Sequence, residues 1–220
     1  MRRPAERPVL GLYVHIPFCK AKCAYCDFYS LRQGEDAWEN YTNCIIKQIK
    51  SYQEQVLPVD TVYFGGGTPG LIGGGRIGRI LAAVRESFAL GPGAEITVET
   101  NPGVGGEALF DGLAEAGVTR LSLGLQSANE GELRLLGRRH TSQDAARAVE
   151  LAHRAGIRNV SLDLMIATPG QTRESLLASA RFCAAGRAAS SPARAIPSPL
   201  RASRWTRTPT PPPATTAKST

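Results

Sequence analysis

The sequence predicts an α/β fold built on a parallel sheet. Two observations carry this. First, short apolar runs alternate five times with segments of helical period. Repeated β–α units imply parallel strands joined by right-handed crossovers. Second, the residues of chemical character sit at the ends of those runs: three cysteines, a Gly-rich turn, Glu99, Gln126 and Asp163. Ligand chemistry gathers at the carboxyl ends of parallel strands in barrels and open sheets alike, so the strands alone leave those two architectures open.

Val9 to Ile16 (V-L-G-L-Y-V-H-I) is an apolar run stopped by Pro17 and reads as a buried strand. Asp36 is a candidate cap for a helix on which Trp38, Tyr41, Ile45, Ile49, Tyr52 and Val56 recur every three or four residues, with Pro58 as its stop. Cys44 lies on that helix and reads as a small core hydrophobe. Thr61 to Phe64 is the second strand, followed by Gly65-Gly66-Gly67-Thr68-Pro69. Ile77 to Leu90 is a helix, Gly91-Pro92-Gly93 a turn, and Glu95 to Glu99 the third strand. Glu107 to Ala116 is a helix with Gly117 past its end. Thr119 to Leu125 is the fourth strand, and Glu130 to Leu136 a short helix. Ser142 is a candidate cap for a helix through Ala155. Asn159 to Ile166 is the fifth strand, and Thr172 opens a last helix to about Ala185.

Residues 9–186 therefore form one α/β core, flanked by a disordered N-terminus (1–8) and a tail (187–220). The tail has seven Pro and six Arg or Lys in 34 residues and no Asp or Glu. It lacks the apolar period needed to bury itself. The abrupt change of texture reads as a frameshift near codon 186, with a genuine disordered tail as the alternative. The net charge of +7 belongs mostly to it: +7 less the tail's +6 leaves +1 for residues 1–186. The core thus gives no electrostatic case for nucleic acid. No run of 18 apolar residues predicts a transmembrane helix, and no apolar signal core follows Met1–Pro8. The expected location is cytoplasmic. Clustered cysteines fit metal ligation in a reducing compartment better than a disulfide framework.

Cys19, Cys23 and Cys26 stand in C-x3-C-x2-C spacing. A structural zinc site normally takes four Cys or His ligands. Here the next Cys and His are Cys44 and His140. Three thiolates suit a cubic [4Fe-4S] cluster with one iron left open. Buried or disulfide-bonded cysteines are the plain alternative. Gly65-Gly66-Gly67-Thr68-Pro69 is not a phosphate loop, because no G-K-[ST] is present. Its glycines permit close backbone approach to a ligand. His15 reads as a core histidine or a neighbour of the cysteines, and His140 and His153 as surface residues at helix ends. Cys183 is assigned no role.

The phrase H-I-P-F-C-K-A-K-C-A-Y-C-D-F, with Tyr25 as the aromatic before the third cysteine, resembles the radical S-adenosylmethionine (SAM) superfamily, and within it the HemW-type heme chaperones. The resemblance runs from about Val9 to about Ala185. It implies an incomplete six-stranded (β/α) barrel, of which five strands are recognisable. It further implies a [4Fe-4S] cluster on Cys19, Cys23 and Cys26, with SAM chelating the open iron and cleaved by one electron to methionine and a 5′-deoxyadenosyl radical. Tyr13, Tyr25 and Phe28 would line the pocket, core packing being the alternative for each. Gly67 and Thr68 would hold the SAM amino group. Glu99, Gln126, Arg138 and Asp163 would supply polar contacts to SAM, Asp163 as a buried carboxylate needing a partner. Ala167-Thr168 before P-G-Q and Gly73-Gly74-Gly75 at a helix start depart from the family pattern and are expected to loosen those loops.

Coproporphyrinogen III oxidases of this branch carry a fourth cysteine two places after the third, where this chain has Phe28. That favours the heme chaperone, with heme or porphyrin, heme-acceptor proteins and a reducing electron donor as partners. The oxidase, an enzyme of porphyrin biosynthesis, is the runner-up. An inactive fragment is the third reading: with no sixth strand recognisable, this chain is expected to load a cluster poorly and not to turn over.

Overall fold

The computed structural model describes residues 9–52 and 58–188, with side chains to 186. The expected disordered N-terminus, the tail from 189 onward and Val56 lie outside the described residues, while Arg187 and Ala188, expected in the tail, continue the last helix. Five strands form one sheet: β1 Leu10–Ile16, β2 Val59–Gly66, β3 Leu90–Thr100, β4 Arg120–Gln126 and β5 Asn159–Leu164. All four pairings are parallel, in the order β1-β2-β3-β4-β5. A doubly wound sheet reverses its order at a switch point, whereas a barrel adds each strand beside the last. The sequential order is that of a barrel wall.

The helices are α1 Glu35–Lys50, α2 Gly74–Ser87, α3 Gly106–Glu115, α4 Glu130–Leu135, α5 Ser142–Arg154 and α6 Arg173–Ala188. A short 3-10 turn, Pro69–Ile72, precedes α2. The core lies between the helices and one sheet face, where Val14, Ile16, Val62, Phe64, Ile96, Val98, Leu121 and Leu123 are buried. Side chains alternate across a strand, and the register places different residues on the other face. Tyr13, Tyr63, Thr97, Arg120 and Asn159 form one row, and Glu99, Ser122 and Ser161 the next. The expectation of a wholly buried first strand is corrected: Tyr13 is 59% exposed. An apolar run conceals this because Tyr serves on wet and dry faces alike.

Helix α2 buries Ile77, Ile80, Leu81 and Val84. Deleting such a side chain to Ala costs about 2–5 kcal/mol. At its start Gly73 and Gly74 are not slack. Gly73 has φ +86, and a Cβ on Gly74 would stand 2.6 Å from the Gly112 carbonyl carbon of α3. The two helices touch backbone to backbone there. Gly91-Pro92-Gly93 does not turn the chain but lies within β3. Pairing steps from Val59↔Leu90 to Thr61↔Glu95, so the extra residues are absorbed as a register irregularity.

Helix ends also differ from expectation. Asp36 sits in the first turn of α1, whose cap is Gly34 with no side-chain bond, and the helix stops at Lys50. The cap of α5 is Thr141, not Ser142. Thr141 and Asp144 form a reciprocal capping box, while Ser142 donates through its N–H and hydroxyl to Glu130 Oε1, 2.9 Å each. Strand β5 ends at Leu164, and Ile166 is exposed. Cys44 is exposed rather than in the core. His140 is 8% exposed, not on the surface, and its Nε2 lies 3.1 Å from the Leu125 carbonyl. Burial holds its pKa below the usual histidine value. Among the described residues no helix is long and apolar enough to cross a membrane.

Candidate metal and cofactor site

The cysteine loop leaves the carboxyl end of β1. It is closed at its stem by Leu31 N–H to Pro17 O (2.6 Å) and Cys19 N–H to Leu31 O (3.0 Å), with Phe18 buried beneath. Cys26 N–H donates to Cys23 O at 3.1 Å, turning the loop between the second and third cysteines. Cys19, Cys23 and Cys26 are half-buried free thiols.

The turn after β2 is bound to this loop. Gly67 N–H donates to Ile16 O and Thr68 N–H to Phe18 O, both at 2.8 Å. A Cβ on Gly67 would stand 2.6 Å from Phe18 O, so glycine is needed for the two backbones to meet. The Thr68 hydroxyl, in turn, comes within 3.6 Å of Cys19 Sγ.

Asn101, at the end of β3, donates from Nδ2 to Thr68 Oγ1 (2.9 Å) and accepts from Arg138 at Oδ1 (2.6 Å). Arg138 also donates from Nε (2.9 Å) and a terminal nitrogen (2.5 Å) to the Tyr25 hydroxyl, with its guanidinium 5.7 Å from the ring centroid. The loop is thus clasped from both sides, at Cys19 and at Tyr25. Burial raises the Tyr25 pKa, opposed by the Arg138 charge; Cys23 and Cys26 lie close enough to raise it further. Gly124 on β4 makes room for this cluster. A Cβ there would lie 2.6 Å from Asn101 Oδ1 and 3.0 Å from Gln126 Nε2.

Gln126 closes β4 with φ +68, a left-handed conformation uncommon outside glycine, and accepts from Met165 N–H at 2.9 Å through its carbonyl. Such strain gathers at functional sites.

On the trough formed by the other sheet face, Glu99 accepts from Tyr63 (2.6 Å) and Gly66 N–H (3.3 Å). Burial lifts the Glu99 pKa above the usual carboxylate range, and the Tyr63 pKa rises with it. Asp163 accepts from Ser122 at 3.0 Å on both oxygens. The expectation that Asp163 is buried is corrected: as a residue it is exposed to the open trough. Its carboxyl is still ringed by protein atoms, which raises its pKa. Tyr13 stacks on Tyr63 with centroids 6.0 Å apart and an interplanar angle of 16°. Its hydroxyl reaches His15 Nδ1 at 3.3 Å, so His15 faces the trough half-buried rather than the core. Phe28 is 65% exposed, which removes core packing as its role.

Among the described residues no three His, Cys, Asp or Glu side chains converge as a single metal ion requires. A four-iron cube is wider than one ion, and its thiolates need not meet at a point. The donor set fits the cube: three free thiols on one anchored loop, with a hydroxyl beside the first. The trough fits a cationic, hydroxyl-bearing ligand. The Glu99 and Asp163 carboxyls there would be favoured in their charged form by a nearby positive group and can accept further hydrogen bonds.

Sequence reasoning missed Tyr63, Ser122 and Asn101. Register was the available signal for the first two, since they stand on the same sheet face as Tyr13 and Glu99. Asn101 was read only as the end of a strand.

The sequence pattern of the Radical SAM superfamily matches residues 13–183. The chain belongs to that superfamily. It is 41% identical over 177 residues to the heme chaperone HemW of Escherichia coli (strain K12), covering 79% of this chain and 47% of the relative. It is 38% identical over 162 residues to the heme chaperone HemW of Lactococcus lactis, covering 74% and 42%. Among solved structures it is similar to coproporphyrinogen III oxidase (HemN) from Escherichia coli, described as a radical SAM enzyme. The TM-score is 0.74 at 29% identity, covering 82% of this chain and 42% of that one. The chain spans less than half the length of these relatives.

Proposed function

We propose that this chain is the cluster- and SAM-binding part of a HemW-like heme chaperone. One observation carries the reading: the cysteine loop, the turn after β2, Asn101, Gln126 and Arg138 are hydrogen-bonded or packed into one assembly at the carboxyl ends of four parallel strands. The relatives named above as heme chaperones support the rest. Cys19, Cys23 and Cys26 would hold a [4Fe-4S] cluster. Gly67, Thr68, Glu99, Gln126, Arg138 and Asp163 would bind SAM, with Tyr13, Tyr25 and Phe28 along the rim. The chemistry supplied there is one-electron reduction of a sulfonium.

The chain's own residues do the positioning. Arg138 offers a planar set of donors to a carboxylate. Glu99 and Asp163 offer acceptors to ribose hydroxyls or an ammonium group. The stacked Tyr13 and Tyr63 wall off one side of the trough. Heme or porphyrin, a heme-acceptor protein, a reducing electron donor and a cytoplasmic location complete the reading.

The likeness to coproporphyrinogen III oxidase favours a second reading. Anaerobic reconstitution with iron and sulfide, followed by assays of SAM cleavage, heme binding and coproporphyrinogen conversion, tests both. Heme retention and transfer without porphyrinogen conversion supports the chaperone. Conversion to protoporphyrinogen overturns it.

A further inference from the structure

We propose that Asn101 is a positioning residue that sets the direction of a hydrogen-bond chain ending on the sulfur of Cys19, so that the Thr68 hydroxyl donates to that sulfur. The inference rests on the proposed role of Cys19 as an iron ligand.

The direction follows from donor and acceptor chemistry. Arg138 has donors only, so the Asn101 atom at 2.6 Å from its terminal nitrogen must be the oxygen. The amide nitrogen then faces Thr68 and donates to Oγ1 at 2.9 Å. With that lone pair engaged, the Thr68 proton is free to point at Cys19 Sγ, 3.6 Å away, within reach for the larger sulfur atom. An iron-bound cysteine sulfur carries no proton, so it can only accept. Thr68 is buried and Asn101 half-buried, so water competes little for these contacts. Gly124 guards the geometry: a Cβ there would stand 2.6 Å from Asn101 Oδ1.

A hydrogen bond to a ligating sulfur withdraws charge from it and favours the reduced, more negative cluster. The chain Arg138→Asn101→Thr68→Cys19 therefore raises the reduction potential. Asn101→Asp tests the direction with almost no change of volume. A carboxylate there still accepts from Arg138 but cannot donate to Thr68. The Thr68 proton turns to the carboxylate and leaves the sulfur. Thr68→Val removes the same bond without adding charge, and Thr68→Ser restores it.

The experiment is the midpoint potential of the reconstituted cluster, followed by electron paramagnetic resonance, with circular dichroism as the check on folding. Asn101→Asp and Thr68→Val are both expected to shift the midpoint to more negative values, and Thr68→Ser to keep that of the unaltered chain. Unaltered midpoints in both Asn101→Asp and Thr68→Val overturn the inference while leaving the cysteine site standing. A shift in Asn101→Asp alone assigns the effect to charge and also overturns it. An unaltered chain that takes up no cluster overturns the underlying reading, and the inference falls with it.

Discussion

Two glycine-to-alanine substitutions separate the fold from the site. At Gly124 the added methyl would meet Asn101 Oδ1 at 2.6 Å, Gln126 Nε2 at 3.0 Å and a terminal nitrogen of Arg138 at 3.5 Å. These are side-chain ends that can move aside. The first interaction to break is the Arg138–Asn101 hydrogen bond, which is charge-assisted and worth about 1.5–3 kcal/mol. If that geometry is what receives SAM, the same energy weakens SAM binding by about 10- to 150-fold, at 1.4 kcal/mol per tenfold. At Gly74 the methyl would meet the Gly112 backbone at 2.6 and 2.7 Å and Leu113 N at 2.9 Å. Backbone cannot step aside, so α2 and α3 must separate, at the ~1–3 kcal/mol of an overpacked core. Urea unfolding of the cofactor-free protein and equilibrium SAM binding to the cluster-loaded protein read the two effects. Gly74→Ala is expected to lose stability with SAM affinity per cluster unchanged. Gly124→Ala is expected to lose SAM affinity with a smaller loss of stability. The reverse pattern, or unchanged SAM affinity in Gly124→Ala, refutes the assignment of this cluster to ligand binding.

Other expectations follow from single groups. The Glu99 pKa is raised on folding, so its favourable contribution is present below the unfolded value and is lost as pH rises through the folded one. The unfolding free energy of Glu99→Gln measured across the carboxylate range should therefore fall less with rising pH than that of the unaltered chain; a steeper fall contradicts this. Thr141→Ala removes the capping box of α5 and should cost about 1 kcal/mol in thermal or urea unfolding, without touching SAM affinity. Cys44→Ser, on an exposed surface of α1, should change stability by no more than about 0.5 kcal/mol and leave iron content alone. A loss of iron on that substitution would place a fourth thiol at the site.

Most strands were legible because an apolar stretch meets a Gly or Pro stop, as at Pro17 and Gly65-Gly66-Gly67, and their parallel pairing followed from the intervening helices. Caps were less legible. Thr141 and Ser142 are adjacent candidates, and only the reciprocal bond to Asp144 separates them. The Gly91-Pro92-Gly93 segment reads locally as a turn, yet pairing with β2 draws it into a strand. His140 was misread because helix ends are usually wet, whereas here the Leu125 carbonyl receives the ring. Of the residues proposed for the site, the cysteines, Gly67 and Thr68 stood out by motif and spacing, whereas the roles of Gln126 and Arg138 came from the family resemblance. Asn101 was visible through neither. Its importance lies in joining residues 33 and 37 positions away in the chain, which no local pattern records.

The central claim is that Cys19, Cys23 and Cys26 ligate iron. The direct test is iron and sulfide content after anaerobic reconstitution, with electron paramagnetic resonance on reduction, in the unaltered chain and in each Cys→Ala variant. The account predicts a four-iron signal in the unaltered chain and its loss in each of the three variants. Iron that persists when all three cysteines are replaced, or zinc bound in preference to iron, would contradict it.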